Sequence, residues 1–191
     1  MKPAKSLKRK EGLNMAKVYA MIANGTEEVE CLAVVDLLRR SGVETVLVSV
    51  EEDCEIISSH KVRITADAVL ADTDLSDGDV IFLPGGMPGA GPLLEALEQA
   101  DREGRRIAAI CAAPGVVLGR HGLLKGRTAT CFPGFEKEFG DGRYTHQGVV
   151  TDGNLTTARG LGFAVDLGLE LVELLLGSEA AEETRRRIQY R

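Results

Sequence analysis

Four short apolar runs without polar alternation set the strongest limit on what this chain can become. They lie at residues 18–22, 45–50 (TVLVSV), 80–83 (VIFL) and 107–110 (IAAI). A strand that faces solvent on one side alternates; a strand covered on both faces does not. Between the runs lie segments of helical periodicity at 28–41, closed by Gly42, at 93–103, stopping at Gly104, and from about 113 to 121. An amphipathic helix at 163–176 and a more polar one at 179–188 end the chain. Two further strands, 149–151 and 155–157, flank Asp152-Gly153-Asn154, a hairpin-type turn signal. Buried strands separated by helices predict an α/β/α sandwich of doubly wound type around a mainly parallel sheet. In such folds ligands gather outside the carboxyl ends of the strands.

Composition narrows the function. The chain has 191 residues, the size of one domain, with 27% charged and 44% hydrophobic residues. Residues 1–14 carry five cations and one anion and read as a disordered basic extension. The remainder, 15–191, reads as one domain with 28 acidic and 18 basic residues, a net charge of −10. That balance argues against nucleic-acid binding, as does an aromatic content of 4% with no Trp. No apolar run approaches the roughly 18–20 residues of a membrane span. The cysteines at 31, 54, 111 and 131 form no CxxC pair and no zinc-type ligand spacing, so no metal is expected. Free thiols in a chain without an export signal point to a reducing, cytoplasmic setting.

Three strand ends carry unusual residues. After the fourth run stands Ile110-Cys111-Ala112-Ala113-Pro114-Gly115, where a buried strand turns directly into a helix. This is the sequence setting of a nucleophile elbow, with small neighbours that allow a tight turn and a Pro suited to a first helical turn. A thiol there feels the positive end of the helix dipole, which favours thiolate; the competing reading is a small buried hydrophobe. After the first run comes Gly25-Thr26-Glu27-Glu28-Val29-Glu30. Glu27 and Glu28 complement a helix N-terminus, whereas Glu30 shares a stripe with Ala33, Val34 and Leu37 and points inward. A partly buried carboxyl holds its proton to higher pH and can donate to a thiolate or shuttle protons. The third strand end, Leu83-Pro84-Gly85-Gly86, is no phosphate loop. The N–H groups of Gly86 and Ala112 fit an oxyanion hole; a plain turn is the alternative for the glycines.

The set GTEEVE, LPGG and AAICAAPG, followed by a TARG hairpin and a long helix, resembles the ThiJ/PfpI superfamily, and within it the branch of the Parkinson-disease-associated protein deglycase. The resemblance runs from about Lys17 to Gly177. It implies a flavodoxin-like, amidotransferase-like fold, a homodimer, a readily oxidised Cys111 held by a protonated Glu30, and oxyanion donors at Gly86 and Ala112. It also implies cofactor-free glyoxalase activity (methylglyoxal to lactate) or deglycation of early aldehyde adducts, with oxidative-stress sensing or chaperone activity through the same cysteine as the alternative. The small-molecule partner is then an aldehyde or a glycated group.

One departure weakens peptidase or amidotransferase readings. Many relatives carry a His where this chain has Thr130-Cys131-Phe132-Pro133, so a Cys–His dyad is not expected. Cys131 stands in that stretch as a candidate pocket or packing residue. His60 falls near where some relatives place an Arg by the pocket; it is a candidate substrate contact, with a surface loop His as the plainer reading.

Overall fold

The computed structural model describes residues 15–86 and 91–191; the basic extension and Met87 to Gly89 of the glycine-rich segment lie outside them. In chain order the regular elements are β1 (Lys17–Ile22), α1 (Glu28–Arg40), β2 (Glu44–Ser49), β3 (Glu55–Ile57), β4 (Arg63–Thr65), β5 (Ala68–Val69), β6 (Val80–Leu83), α2 (Leu94–Arg102), β7 (Arg106–Ile110), β8 (Thr128–Ala129), β9 (Arg143–Tyr144), β10 (Val149–Asp152), β11 (Leu155–Ala158), α3 (Ala164–Leu176) and α4 (Ser178–Arg187).

Among the described residues the main sheet has the order β10-β11-β7-β6-β1-β2-β5. Every pairing in it is parallel except the β10–β11 hairpin. Counting the parallel strands β1, β2, β6, β7 and β11 in sequence, the spatial order is 2-1-3-4-5, the flavodoxin arrangement, with β5 added at the edge. The chain reverses its direction of winding between β1 and β6, so their carboxyl ends open a crevice.

The unalternating runs are explained by two apolar layers. Val18, Ala20, Ile22, Phe82 and Ile110 project into a core capped by α1, α3 and α4. Tyr19, Met21, Ile81, Leu83, Ile107 and Ala109 project into the other, capped by α2 and the segment after Cys111. In β6 all four residues are fully buried. Each buried Leu, Ile or Phe side chain stabilises the fold by roughly 1.5–3 kcal/mol.

Two features differ from the sequence expectations. Residues 55–65 form a small antiparallel hairpin, β3–β4, which sits over the start of α1 through Gly25 N–H to Ile57 O (2.8 Å) and Ser59 N–H to Thr26 O (2.9 Å). Short, outward strands such as these leave no strong periodic signal. The expected helix from about 113 to 121 is a six-residue π-helix, Pro114–Gly119. Its wide turn lies on the 135–138 backbone, where a Cβ on Gly115 would stand 2.5 Å from Phe135 O and one on Gly119 would overlap Glu138 O.

Candidate active site

Cys111 occupies a strained turn at the end of β7. Its φ of 64° is left-handed, a conformation that costs a non-glycine residue about 1–2 kcal/mol. Both of its backbone groups are held: the N–H donates to Ala158 O (3.0 Å) and the carbonyl accepts from Phe132 N–H (2.8 Å). These bonds fix the turn, and the small buried Ala109 and Ala113 leave room for it. The side chain remains partly exposed, while Cys31 and Cys131 are fully buried.

Glu30 arrives from the other side of the switch point. Glu27 caps α1, accepting from the Glu30 N–H at Oε2 (2.7 Å). This turns Glu30 inward, where it is 1% exposed. Its carboxyl lies against the Cys111 side chain and the backbone N–H groups of Gly85 and Leu161, none of which makes a well-formed hydrogen bond to the buried Oε2. A carboxylate oxygen held so weakly is costly to bury; a protonated one becomes a donor in need of an acceptor. The sulfur of Cys111 is what it faces, and both groups converge on Gly85. A Cβ at Gly85 would overlap Glu30 Oε2, lie 2.7 Å from Cys111 Cβ and 3.2 Å from Cys111 Sγ.

Burial pushes the Glu30 carboxyl up from its ordinary value, assisted by the charge of Glu27. Burial also pushes the Cys111 thiol up to about 12, followed by the charge of an ionised Glu30 and its hydrogen bond, while the Ala112 N–H draws it down. Two of those upward pushes vanish once Glu30 holds its proton. The thiol and carboxyl therefore titrate as one unit, in which a neutral Glu30 is the natural companion of an anionic sulfur. This corrects the expectation of a thiolate made by a helix dipole. The π-helix is too short to aim a full dipole at the sulfur, and the donors that remain are the Ala112 N–H and Glu30.

Gly86 has φ 76°, and a Cβ there would overlap Gly25 O and stand 2.8 Å from Glu27 N. Together with the bond from Glu27 N–H to Gly85 O (2.9 Å), this packs the loop after β6 main chain to main chain on the loop after β1. The Ala112 N–H lies near enough to the sulfur to draw its pKa down. The structure thus brings Cys111, Glu30 and Ala112 together, with Gly86 on the adjoining loop.

His60 lies outside that group. Its Nδ1 is 3.2 Å from Glu28 Oε1 and 3.8 Å from Glu27 Oε1, with the ring 73% exposed. Against the upward push of burial, hydrogen bonds from its own backbone, Ser58, Ser59 and the His60 N–H hold the Glu28 carboxyl down at about 2. Glu27, Glu28 and His60 each place one ligand atom within 4.8 Å of the others, so they are the described residues best placed to hold a cation. His146 stacks edge-on against Tyr144 (4.9 Å between centroids), and His121 is exposed beyond the π-helix.

Two residues of the site escaped the sequence reading. Gly85 is the floor shared by thiol and carboxyl. Its signal is the double glycine, since one supplies the positive φ and the other the close approach. Phe132 is bonded through its backbone to Cys111 and is 49% exposed. Its signal is an aromatic, one of only five Phe in the chain, following Cys131.

Comparison with known proteins agrees with the architecture. A family model described as the DJ-1/PfpI family matches residues 16–174. The chain is 39% identical over 174 residues to Protein DJ-1 homolog B of Arabidopsis thaliana, covering 87% of this chain but 40% of that protein. It therefore spans about two-fifths of that relative's length. It is 32% identical over 161 residues to the glutathione-independent glyoxalase DJR-1.2 of Caenorhabditis elegans, covering 80% of this chain and 84% of that protein. The solved structure of oxidised Toxoplasma gondii DJ-1 superposes with a TM-score of 0.87 at 35% identity, covering 92% of this chain and 98% of that one.

Proposed function

The chain belongs to the DJ-1/PfpI family, and on that premise we propose that it is a cofactor-independent cysteine enzyme acting on small 2-oxoaldehydes. The observation that carries this reading is the shared floor at Gly85, which sets the buried Glu30 carboxyl against the Cys111 side chain. The Cys111 thiolate attacks the aldehyde carbon to form a hemithioacetal, whose oxyanion the Ala112 and Gly86 N–H groups stabilise. Glu30 first gives its proton to that oxyanion; as a carboxylate it then takes the proton of the former aldehyde carbon and delivers it to the neighbouring carbon, while the hydroxyl proton passes to the neighbouring oxygen, leaving a thioester. Water hydrolyses the thioester to a 2-hydroxy acid and frees the thiol, so that methylglyoxal plus water becomes lactate with no net redox change. The same first step serves early glycation adducts. The glyoxalase among its relatives supports this reading. Lactate should accumulate from methylglyoxal without glutathione, and both Cys111→Ser and Glu30→Gln should lower turnover at least about 100-fold. Undiminished turnover in either variant removes the mechanism.

A second reading, an oxidation sensor, is supported by the partial exposure of Cys111 on a strained turn, where Cys31 and Cys131 are fully buried and Cys54 is the other partly exposed thiol, and by the likeness to an oxidised relative. Mild peroxide should then add oxygen selectively at Cys111, read by peptide mass spectrometry; uniform oxidation across the four cysteines would speak against it. Peptidase chemistry finds less support, because the three histidines are engaged or exposed away from the thiol. A homodimer is part of the proposal.

A further inference from the structure

We infer that Phe132 sets the substrate class of this site, selecting neutral 2-oxoaldehydes whose keto carbon carries an apolar, preferably aromatic, group; this rests on the enzymatic reading above. The ring is tethered to the reacting residue, because the Phe132 N–H donates to the Cys111 carbonyl at 2.8 Å. It is also tied to the proton-carrying side. A Cβ at Gly160 would stand 3.3 Å from Phe132 Cδ2 and 3.8 Å from Glu30 Oε1, so one glycine separates the aromatic ring from the carboxyl. The ring is braced edge-on by Phe135, with centroids 6.5 Å apart at 62°. Yet half of Phe132 is open, and the neighbouring Leu161 is 50% exposed. A braced, half-open aromatic beside a nucleophile offers apolar surface to whatever group the nucleophile holds.

The N-terminus of α1 supplies the charge argument. Glu27 and Glu28 are largely shielded, with side chains 15% and 12% exposed, and the charge of Glu27 reaches both Glu30 and Cys111. His60 is the basic side chain beside these two, and it stands on the solvent side with its ring 73% exposed. A substrate bearing its own carboxylate would meet like charge here. The geometry therefore separates substrates twice, by apolar surface and by charge.

The test compares kcat/KM for phenylglyoxal and glyoxal in the wild type, Phe132→Leu and Phe132→Ala. The ratio of the two values should fall roughly tenfold in Phe132→Ala, with Phe132→Leu between, in line with the usual discrimination of an apolar contact. An unchanged ratio overturns the inference while leaving the enzymatic reading intact. A readout without turnover separates the two claims. Alkylation of Cys111 by iodoacetamide and by iodoacetate, followed by intact mass, should favour the neutral reagent by more than free cysteine does. If the wild type turns over no aldehyde yet keeps that alkylation preference, the enzymatic reading and the substrate assignment fall together and only the charge selectivity of the pocket survives. Absence of the preference overturns the charge argument directly. Thermal melts of both variants identify any loss of ratio that comes from misfolding, and in that event Phe132→Leu, which keeps most of the volume, decides.

Discussion

A carboxyl that is 1% exposed and pushed up by burial couples the site to the stability of the whole chain. Below the ordinary glutamate value of 4.5 the folded and unfolded forms both hold the Glu30 proton. Between that value and the raised one, the folded form holds more protons than the unfolded form, so stability falls as pH rises. Gln at this position never ionises and escapes the loss. Glu30→Gln should thus melt close to the wild type near pH 4 and increasingly above it as pH rises towards 8, read by thermal melts across that range. A gap that does not change with pH would mean that the carboxyl is solvated. Some of this was legible in the residues. Glu30 was placed inward by its helical stripe, and Cys111 by its position between a buried run and a proline. Gly85 was not, because its role depends on two side chains separated by more than eighty positions in sequence meeting over one backbone atom. Phe132 was missed for the same reason: the bond to Cys111 is set by a turn that no local pattern encodes.

At the level of elements, the buried strands and long helices were readable because each repeats one residue class at one period. β6 falls at the expected 80–83, and α3 at Ala164–Leu176 against the expected 163–176. The segment after Cys111 shows where this fails. Apolar spacing at Val117 and Leu118 suits any helical turn, and what selects the wide one is tertiary, the backbone of residues 135–138 lying against Gly115 and Gly119. A Cβ on Gly119 would overlap Glu138 O and come within 2.9 Å of the Glu138 carbonyl carbon, atoms that cannot rotate away. Gly119→Ala should therefore destabilise the fold by about 1–3 kcal/mol, in spite of the better helix propensity of alanine. Urea unfolding checks this; an unchanged or raised midpoint would show that the two segments part freely.

On the scale of the whole molecule, the surface carries one unexplained concentration of apolar groups. Among the described residues Val29 is 47% exposed, Leu32 37%, Ile57 44% and Val62 46%. Val29 and Leu32 are three apart on α1 and share a face. Ile57 ends β3, in the hairpin bonded to the start of that helix. Exposed apolar residues gathered on adjoining elements mark an interaction surface more often than chance, and a second copy of the chain is the partner expected from the family resemblance. A two-fold contact presents the same patch from both sides, so one substitution strikes it twice. Leu32→Asp places two new charges in that contact, and light scattering at micromolar concentration should then give the mass of one chain where the wild type gives two. The closeness of this surface to Glu28 and His60 makes the experiment informative about the site as well: Ser59 and the His60 N–H both bond to Glu28. A partner seated on the hairpin would hold that wall of the pocket still, so a monomeric Leu32→Asp should also show weaker discrimination against iodoacetate at Cys111. A wild type that is already monomeric at that concentration would overturn the dimer and leave the patch to another partner.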